Sequence, residues 1–160
     1  MSIRAKKGKA GELLVANELL RRGFDVYLPL VDTGIDIICL IDRKPIFIQV
    51  KESREYPIKR GKRYWQRISE NSLNKNKADN MFYVFVLKSE REVNYLVLPS
   101  MLLYSIRDKL DKKAGLFWLY FDIKEGKVVE GRKSHLDLTK YLNNFDQIKN
   151  ASICKPCIRL

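Results

Sequence analysis

The chain has 160 residues, of which 46% are hydrophobic, so it can form one globular domain whose core needs neither disulfides nor a structural metal. Its 31 Lys and Arg outnumber 19 Asp and Glu, giving a formal net charge of +12 that favours a polyanionic partner: DNA, RNA or an acidic membrane. No apolar run reaches the roughly 18 residues of a membrane span, and no apolar signal segment follows the basic N-terminus, so we expect a cytoplasmic protein without a membrane partner.

The cysteines do not predict a metal site or a disulfide framework. Cys39 lies in an apolar run where burial is expected, and Cys154 and Cys157 form one C-x-x-C pair near the C-terminus. Because no second pair is present and His135 is distant in sequence, a zinc site lacks ligands.

The first part of the chain predicts a helix followed by an antiparallel meander. Apolar residues recur at helical spacing over residues 9–22, and Gly23 provides a C-terminal stop. Short β-rich runs then follow at residues 24–31, 35–41 and 45–51, separated by polar turns. These runs predict three consecutive antiparallel strands.

The middle of the chain predicts a basic loop, a weak helix and two more strands. Residues 52–67 are polar and basic and predict a loop, which leads into a weak helical pattern over residues 68–78. Residues 81–87 are continuously apolar, as in a buried central strand, and residues 93–98 form the next strand.

Beyond residue 99 we predict an extension of the same domain. A helix begins at Pro99 and ends at Gly115, strands follow at residues 116–123 and 128–129, and a last helix covers about residues 138–148. The whole chain is therefore predicted to be one α/β domain over residues 1–150, with a mixed central sheet flanked by helices. Its core covers about residues 9–98, its extension about residues 99–150, and residues 151–160 form a tail.

Polar residues at the end of the third strand indicate a site. Gln49 and Lys51 share one face of that strand, because side chains alternate. If the preceding turn is centred on residues 43–44, antiparallel pairing places Asp36 opposite Val50 or Lys51. The sequence thus predicts that Asp36, Gln49 and Lys51 lie together.

These residue types fit a magnesium site. Asp36 precedes a strongly apolar run, where burying a carboxylate is costly, and a bound cation would remove that cost. The Asp36 carboxylate, the Gln49 amide oxygen and the Val50 carbonyl are oxygen ligands of the kind Mg²⁺ prefers. Lys51 would orient the attacking water and help to deprotonate it. Glu12, on the inward side of the first helix, is a further candidate ligand.

Glu12 on a leading helix, Asp36 before an apolar strand, and Gln49 with Lys51 on the next strand together resemble the PD-(D/E)XK nuclease superfamily. The resemblance covers about residues 9–98, its spacing is similar to archaeal Holliday-junction resolvases, and homing and restriction endonucleases of the superfamily are also similar. It implies a restriction-endonuclease-like fold and a DNA endonuclease that hydrolyses phosphodiester bonds with Mg²⁺, or with Mn²⁺ as a substitute.

The resemblance also implies a role for each residue. Glu12 and Asp36 take the positions of metal-binding acids, Gln49 that of the second motif acid, and Lys51 that of the catalytic lysine. Gln49 departs from the usual Asp or Glu and removes a negative charge. The alternative is therefore a catalytically silent DNA-binding module on a nuclease scaffold. An ordinary hairpin with an Asp36–Lys51 ion pair and an RNA-binding protein are the remaining alternatives.

DNA is the predicted partner, and a homodimer or higher homo-oligomer would place two active sites on opposite strands of a duplex. Cations near the N-terminus and after the third strand would contact phosphates, making binding salt-dependent, and Tyr64 or Trp65 could stack on a distorted base step. Alternatively, this is a solvated surface with Trp65 in the core. The predicted DNA contacts are Lys6, Lys7, Lys9, Arg54, Lys59, Arg60, Lys62, Arg63, Tyr64 and Arg67.

Overall fold

The helices and strands were assigned in a computed structural model that describes residues 3–31, 33–59 and 61–151. In chain order, the elements are α1 (Ile3–Arg21), β1 (Asp25–Tyr27), β2 (Ile37–Ile41), β3 (Lys44–Ile58), β4 (Gly61–Ser69), α2 (Glu70–Lys75), β5 (Met81–Lys88), β6 (Val93–Pro99), α3 (Ser100–Ile106), β7 (Asp111–Lys113), β8 (Leu116–Lys124), β9 (Lys127–Glu130) and α4 (Asp146–Ala151). Within these ranges, no helix is both long enough and apolar enough to cross a bilayer.

A mixed inner sheet forms the centre of the molecule, in the order β1-β2-β3-β5-β6. The first three strands are the predicted antiparallel meander. β5 then runs parallel to β3, because β4 and α2 intervene and return the chain to the same end of the sheet. β6 is antiparallel to β5. This arrangement confirms the predicted α/β fold with a mixed sheet flanked by helices.

An outer sheet replaces the loop predicted for residues 52–67, and that prediction was wrong. β3 continues to Ile58, where its second half pairs with β4, and β4 pairs in turn with β8. β7 and β9 pair with different parts of β8. Tyr64 and Ile68 point inward and are buried. The many charged side chains around them obscure this alternation of inward and outward residues in the sequence.

Two apolar clusters organise the layers. One lies between α1, α4 and a face of the inner sheet that includes Ile48 and Val50. The other lies between the opposite face of the inner sheet and a layer formed by α2, α3 and the outer sheet, with Tyr83, Phe85 and Phe121 among its largest members. The outer sheet thus has one buried face and one face toward solvent.

The predicted extension differs in detail from the structure. The helix that begins at Ser100 ends at Ile106 instead of continuing to Gly115, and a short 3-10 turn and β7 follow. Ala114 and Gly115 have φ angles of 49° and 71° and form the hairpin turn between β7 and β8. The glycine that predicted a helix stop is therefore a hairpin residue.

The predicted last helix also divides into separate elements. A 3-10 turn at Thr139–Tyr141 is followed by Asn143, which has a positive φ of 53°, and then by α4. A left-handed residue interrupts α-helical hydrogen bonding, so one continuous helix cannot form across residue 143.

Candidate active site

The hairpin between β2 and β3 determines how the predicted site residues are aligned. Its turn consists of Asp42 and Arg43, with φ angles of 50° and 64°, so Ile41 pairs with Lys44. The register continues to an Ile37–Ile48 pair, and Asp36 directly precedes β2 at this end of the hairpin. The turn is centred one residue earlier than the sequence predicts, yet Asp36 does lie against Val50, whose N–H donates to its carboxylate.

Backbone groups of β3 hold the Asp36 carboxylate and main chain. Asp36 Oδ2 accepts a 2.6 Å hydrogen bond from the Val50 N–H, and the Asp36 N–H donates to the Ile48 carbonyl at 2.9 Å. The N–H and C=O of one strand residue point toward the same neighbour. The Val50 carbonyl is therefore directed toward the edge at which Asp36 lies.

Gln49 lies in a small polar network on the other side of its strand from α1. It is 7% exposed, and its Oε1 accepts long hydrogen bonds from Ser72 Oγ at 3.4 Å and Asn76 Nδ2 at 3.5 Å. Asn76 also donates to the Tyr83 hydroxyl, which in turn donates to the Ser72 carbonyl. This network was not predicted from the sequence.

A sequence signal for the network exists in the spacing of Ser72 and Asn76. Residues four apart on a helix lie on the same face, so these polar side chains could be predicted to point together. Ser69 supports the local helix as its N-cap, accepting from the Ser72 N–H at 3.1 Å. Burial raises the pKa of the Tyr83 hydroxyl, which keeps it a neutral hydrogen-bonding group at physiological pH.

Lys51 and Glu12 approach the site from different layers. Lys51 is partly buried and lies two residues after Gln49 on the same strand face. Glu12 belongs to α1 on the opposite face of the sheet, where its partly buried carboxylate pairs with Lys9. Next to Glu12, Gly11 packs against Glu52 of β3. The backbone thus brings Asp36, just before β2, next to the part of β3 that carries Gln49 and Lys51, whereas Glu12 lies across the sheet.

The oxygen atoms of the candidate site are of the kind that binds a magnesium ion, but they carry little negative charge. Asp36, Gln49 and the Val50 carbonyl supply oxygen atoms, and the Val50 N–H donates to one of the two carboxylate oxygens of Asp36. Across residues 3–31, 33–59 and 61–151, no three Asp, Glu, His or Cys side chains lie close enough to share a metal. Such a site would bind Mg²⁺ with few charged ligands.

Two other reactive residue types are not part of this site. Burial raises the pKa of the Cys39 thiol to about 12, so Cys39 remains a neutral thiol at physiological pH and is not a nucleophile. His135 lies in the connection between β9 and α4 and has a positive φ of 49°.

The residues predicted to contact DNA lie in several different parts of the structure. Tyr64 is fully buried in the core, so the prediction that it stacks on DNA was wrong; its inward position follows from strand alternation. Lys6, Lys7 and Lys9 lie on the exposed surface of α1, and Lys59 is exposed beside the β3–β4 turn. Arg60, the Arg54 side chain, Cys154 and Cys157 lie outside the described residues.

The remaining predicted cations on β4 have protein partners. Lys62 Nζ lies 3.0 Å from Glu92, whose hydrogen bond raises the Lys62 pKa, while the same bond lowers the Glu92 pKa. Arg63 forms two hydrogen bonds with Asp122, at 2.6 and 2.7 Å, which raise the Arg63 pKa. Arg67 instead lies over aromatic rings.

Searches of protein-family models and of curated proteins gave no significant match. Among solved structures, the fold is similar to that of the bacterial homing endonuclease I-Ssp6803I, with a TM-score of 0.63 and 15% sequence identity over 96% of this chain and 98% of that one. The Holliday junction resolvase Hjc of Archaeoglobus fulgidus matches with a TM-score of 0.47 and 19% identity, over 74% of this chain and 84% of that one. The first of these two similarities shows that the chain has the fold of that homing endonuclease, which agrees with the restriction-endonuclease-like fold predicted from the sequence.

Proposed function

We propose that the protein is a metal-dependent DNA endonuclease that hydrolyses phosphodiester bonds. The observation that carries the proposal is the position of Asp36, whose carboxylate is bound to the Val50 N–H beside Gln49, with Lys51 on the next position of the same strand face. The fold of a homing endonuclease and the net charge of +12 support it further.

Each residue of the candidate site would have its own chemical role. Asp36, Gln49 and the Val50 carbonyl would hold Mg²⁺, and Mn²⁺ could replace it. The chemistry that a bound ion supplies is polarisation of the scissile phosphate and activation of water. Lys51, on the same strand face as Gln49, would orient the attacking water and donate hydrogen bonds to phosphate oxygens. Glu12 would contribute from α1, through water or after movement of the helix.

The direct test is cleavage of a panel of DNA forms: linear duplex, four-way junction, flap and single strand, with Mg²⁺ or Mn²⁺. Asp36→Ala and Lys51→Ala should each reduce cleavage by about 100-fold or more, with DNA binding largely retained. Asp108→Ala and Lys109→Ala are matched controls, because both side chains are exposed on the 3-10 turn after α3. Wild-type rates in both site variants would contradict the proposal.

A catalytically silent DNA-binding module is the second candidate. Gln49 favours it, because a neutral amide replaces an acid in a site where the described residues provide few carboxylates. This candidate predicts tight binding to DNA without cleavage of any form in the panel. An oligomer would be expected only of the nuclease, since two sites are needed to cut both strands of a duplex. The molecular mass in solution, measured with and without DNA, tests that expectation.

A further inference from the structure

The solvent-facing side of the outer sheet carries arginines and large aromatic residues in one continuous patch. Because Tyr64, Ile68 and Phe121 point into the core, the residues that alternate with them point outward. We call this patch the arginine–aromatic face and define it by Arg63, Trp65 and Arg67 of β4, Trp118 and Tyr120 of β8, and Arg132 after β9.

One half of the arginine–aromatic face is a cation on a pair of stacked rings. Trp65 and Trp118 lie with centroids 5.5 Å apart and ring planes 25° from parallel, and Trp65 is 40% exposed. The Arg67 guanidinium lies 5.1 Å from the Trp118 ring centroid and 5.9 Å from that of Trp65. Among the described residues, no carboxylate lies within ion-pair distance of Arg67. Its charge is thus held in place by rings instead of being neutralised.

The other half is organised around Tyr120. The Arg132 guanidinium lies 4.9 Å from the Tyr120 ring centroid and donates to its hydroxyl at 2.7 Å, while Arg63 lies 5.8 Å from the same centroid. Arg63 is neutralised by Asp122, whereas Arg132 is 57% exposed and lies 3.5 Å from Asp111. The side chains are therefore pre-positioned, and two of the three arginines remain accessible to a ligand.

The chemistry of the arginine–aromatic face favours DNA over a second copy of the chain. Planar guanidinium groups match phosphate oxygens, and aromatic faces accept sugars or unstacked bases. A symmetric contact between two copies would instead bring identical faces together, so that Arg67 and Arg132 would approach the same cations of the partner. Asp122 and Asp111 already lie beside Arg63 and Arg132, whereas Arg67 has no such carboxylate among the described residues.

The face is also connected to the candidate active site. β4, which carries Trp65 and Arg67, continues directly into α2, and Ser72 of α2 contacts Gln49. Gln49 points away from the opposite layer of the molecule, which is formed by α1 and α4.

We propose that the arginine–aromatic face is the surface that binds the sugar–phosphate backbone of duplex DNA, with Arg67 and Arg132 as phosphate contacts. This inference rests on the proposed function, since it assumes a DNA partner, and it gives the chain beyond residue 99 a role that sequence analysis did not supply. Trp118, Tyr120 and Arg132 all belong to that part of the chain.

Intrinsic fluorescence can locate the bound DNA, because the chain contains only two tryptophans and both lie in this face. The full-length protein is titrated with a fluorescein-labelled duplex of mixed sequence in EDTA, where no cleavage occurs. Anisotropy measures affinity, and tryptophan emission measures contact with the face. Emission should change at the same DNA concentration as anisotropy.

Arg67→Ala and Arg132→Ala should each weaken binding by roughly 10-fold and lower the slope of log K against log salt by about one. Arg22→Ala is the matched control: Arg22 also pairs with an aromatic ring, that of Phe145 at 4.8 Å, but it lies in the opposite layer. Its affinity and salt slope should equal those of the wild type.

Arg67→Lys keeps the charge and should lose less affinity than Arg67→Ala. Circular dichroism checks that each variant is folded.

The outcomes separate this proposal from the proposed function. If the wild type cleaves DNA but Arg67→Ala and Arg132→Ala bind as well as Arg22→Ala, the face is not the DNA surface although the protein is a nuclease. If these variants change the molecular mass in light scattering and not DNA affinity, the face binds a second copy of the chain. Failure of the wild type both to bind and to cleave any DNA contradicts the proposed function itself.

Discussion

The chemistry of the candidate site depends more on the side chain of Gln49 than on any other single side chain. Its amide oxygen accepts long hydrogen bonds from Ser72 and Asn76, and the next residue, Val50, donates its N–H to the Asp36 carboxylate. A glutamate would have nearly the same shape and could accept from the same donors. It would also place a second negative charge next to Asp36, which requires a cation or a proton for compensation.

Gln49→Glu should therefore lower the Mg²⁺ concentration for half-maximal cleavage by roughly an order of magnitude, because an added charged oxygen ligand strengthens binding of a hard cation. The measurement is the initial rate of DNA cleavage across a Mg²⁺ titration, with Gln49→Ala as the variant that removes the ligand. If the wild type is silent, cleavage that appears only in Gln49→Glu would establish the binding-module alternative. An unchanged Mg²⁺ midpoint in an active variant would show that residue 49 does not bind the metal.

At the scale of elements, the inner sheet could be predicted because its apolar runs are long and its turns are polar. The position of the β2–β3 turn could not be predicted, since this two-residue turn uses Asp42 and Arg43 at positive φ without the glycine that usually marks such a turn. The role of Gly115 was misassigned for the opposite reason, because a glycine that ends a helix and one that closes a hairpin have the same sequence signal.

Pairing between strands that are distant in sequence explains the remaining differences between the predicted and the observed elements. Residues 52–67 contain many cations, which resemble a loop in sequence, but β8 supplies a partner strand that lies more than forty residues later in the chain. Long-range pairing of this kind leaves no local pattern. The three residues Asp36, Gln49 and Lys51 were predictable as a group because they depend on a single hairpin, whereas the contacts of Gln49 with Ser72 and Asn76 required the position of α2.

Two glycines of α1 have different surroundings, and substituting them tests how closely this helix packs on the inner sheet. A Cβ at Gly8 would have no atom within 4 Å, whereas a Cβ at Gly11 would lie 3.2 Å from the Glu52 Cβ. Gly8→Ala should raise the unfolding free energy by about 0.5–1 kcal/mol through helix propensity. Gly11→Ala should lose that gain, because α1 must move away from β3.

Urea denaturation of both variants measures the difference, and the cleavage rate reports whether Glu12 moves with the helix. We expect Gly11→Ala to be less stable than Gly8→Ala by about 1 kcal/mol and to cleave more slowly than the wild type. Equal stabilisation by the two substitutions, with unchanged cleavage, would mean that Glu52 rearranges easily and that α1 does not depend on close packing at Gly11.

For the whole molecule, the cluster between the inner and outer sheets joins the predicted nuclease core to the rest of the chain. Phe85 of β5 and Phe121 of β8 are both fully buried, with ring centroids 4.9 Å apart in an edge-to-face arrangement. Tyr64 pairs with Phe121 across β4 and β8. Since β4 belongs to the first part of the chain and β8 to the extension, the two parts share one core and should unfold together.

Phe121→Ala should lower the unfolding free energy by about 3–5 kcal/mol, because it leaves a cavity between the two sheets. Leu13→Ala is the control truncation, since Leu13 is 53% exposed on α1 and its loss should cost no more than about 0.5 kcal/mol. Tryptophan fluorescence reports the outer sheet, where Trp65 and Trp118 lie, and far-ultraviolet circular dichroism reports the whole chain. In both variants the two signals should change at the same urea concentration. An earlier fluorescence transition would instead show that the outer sheet is a separate folding unit, and Trp65 and Arg67 could then lose their positions while Asp36 and Gln49 keep theirs.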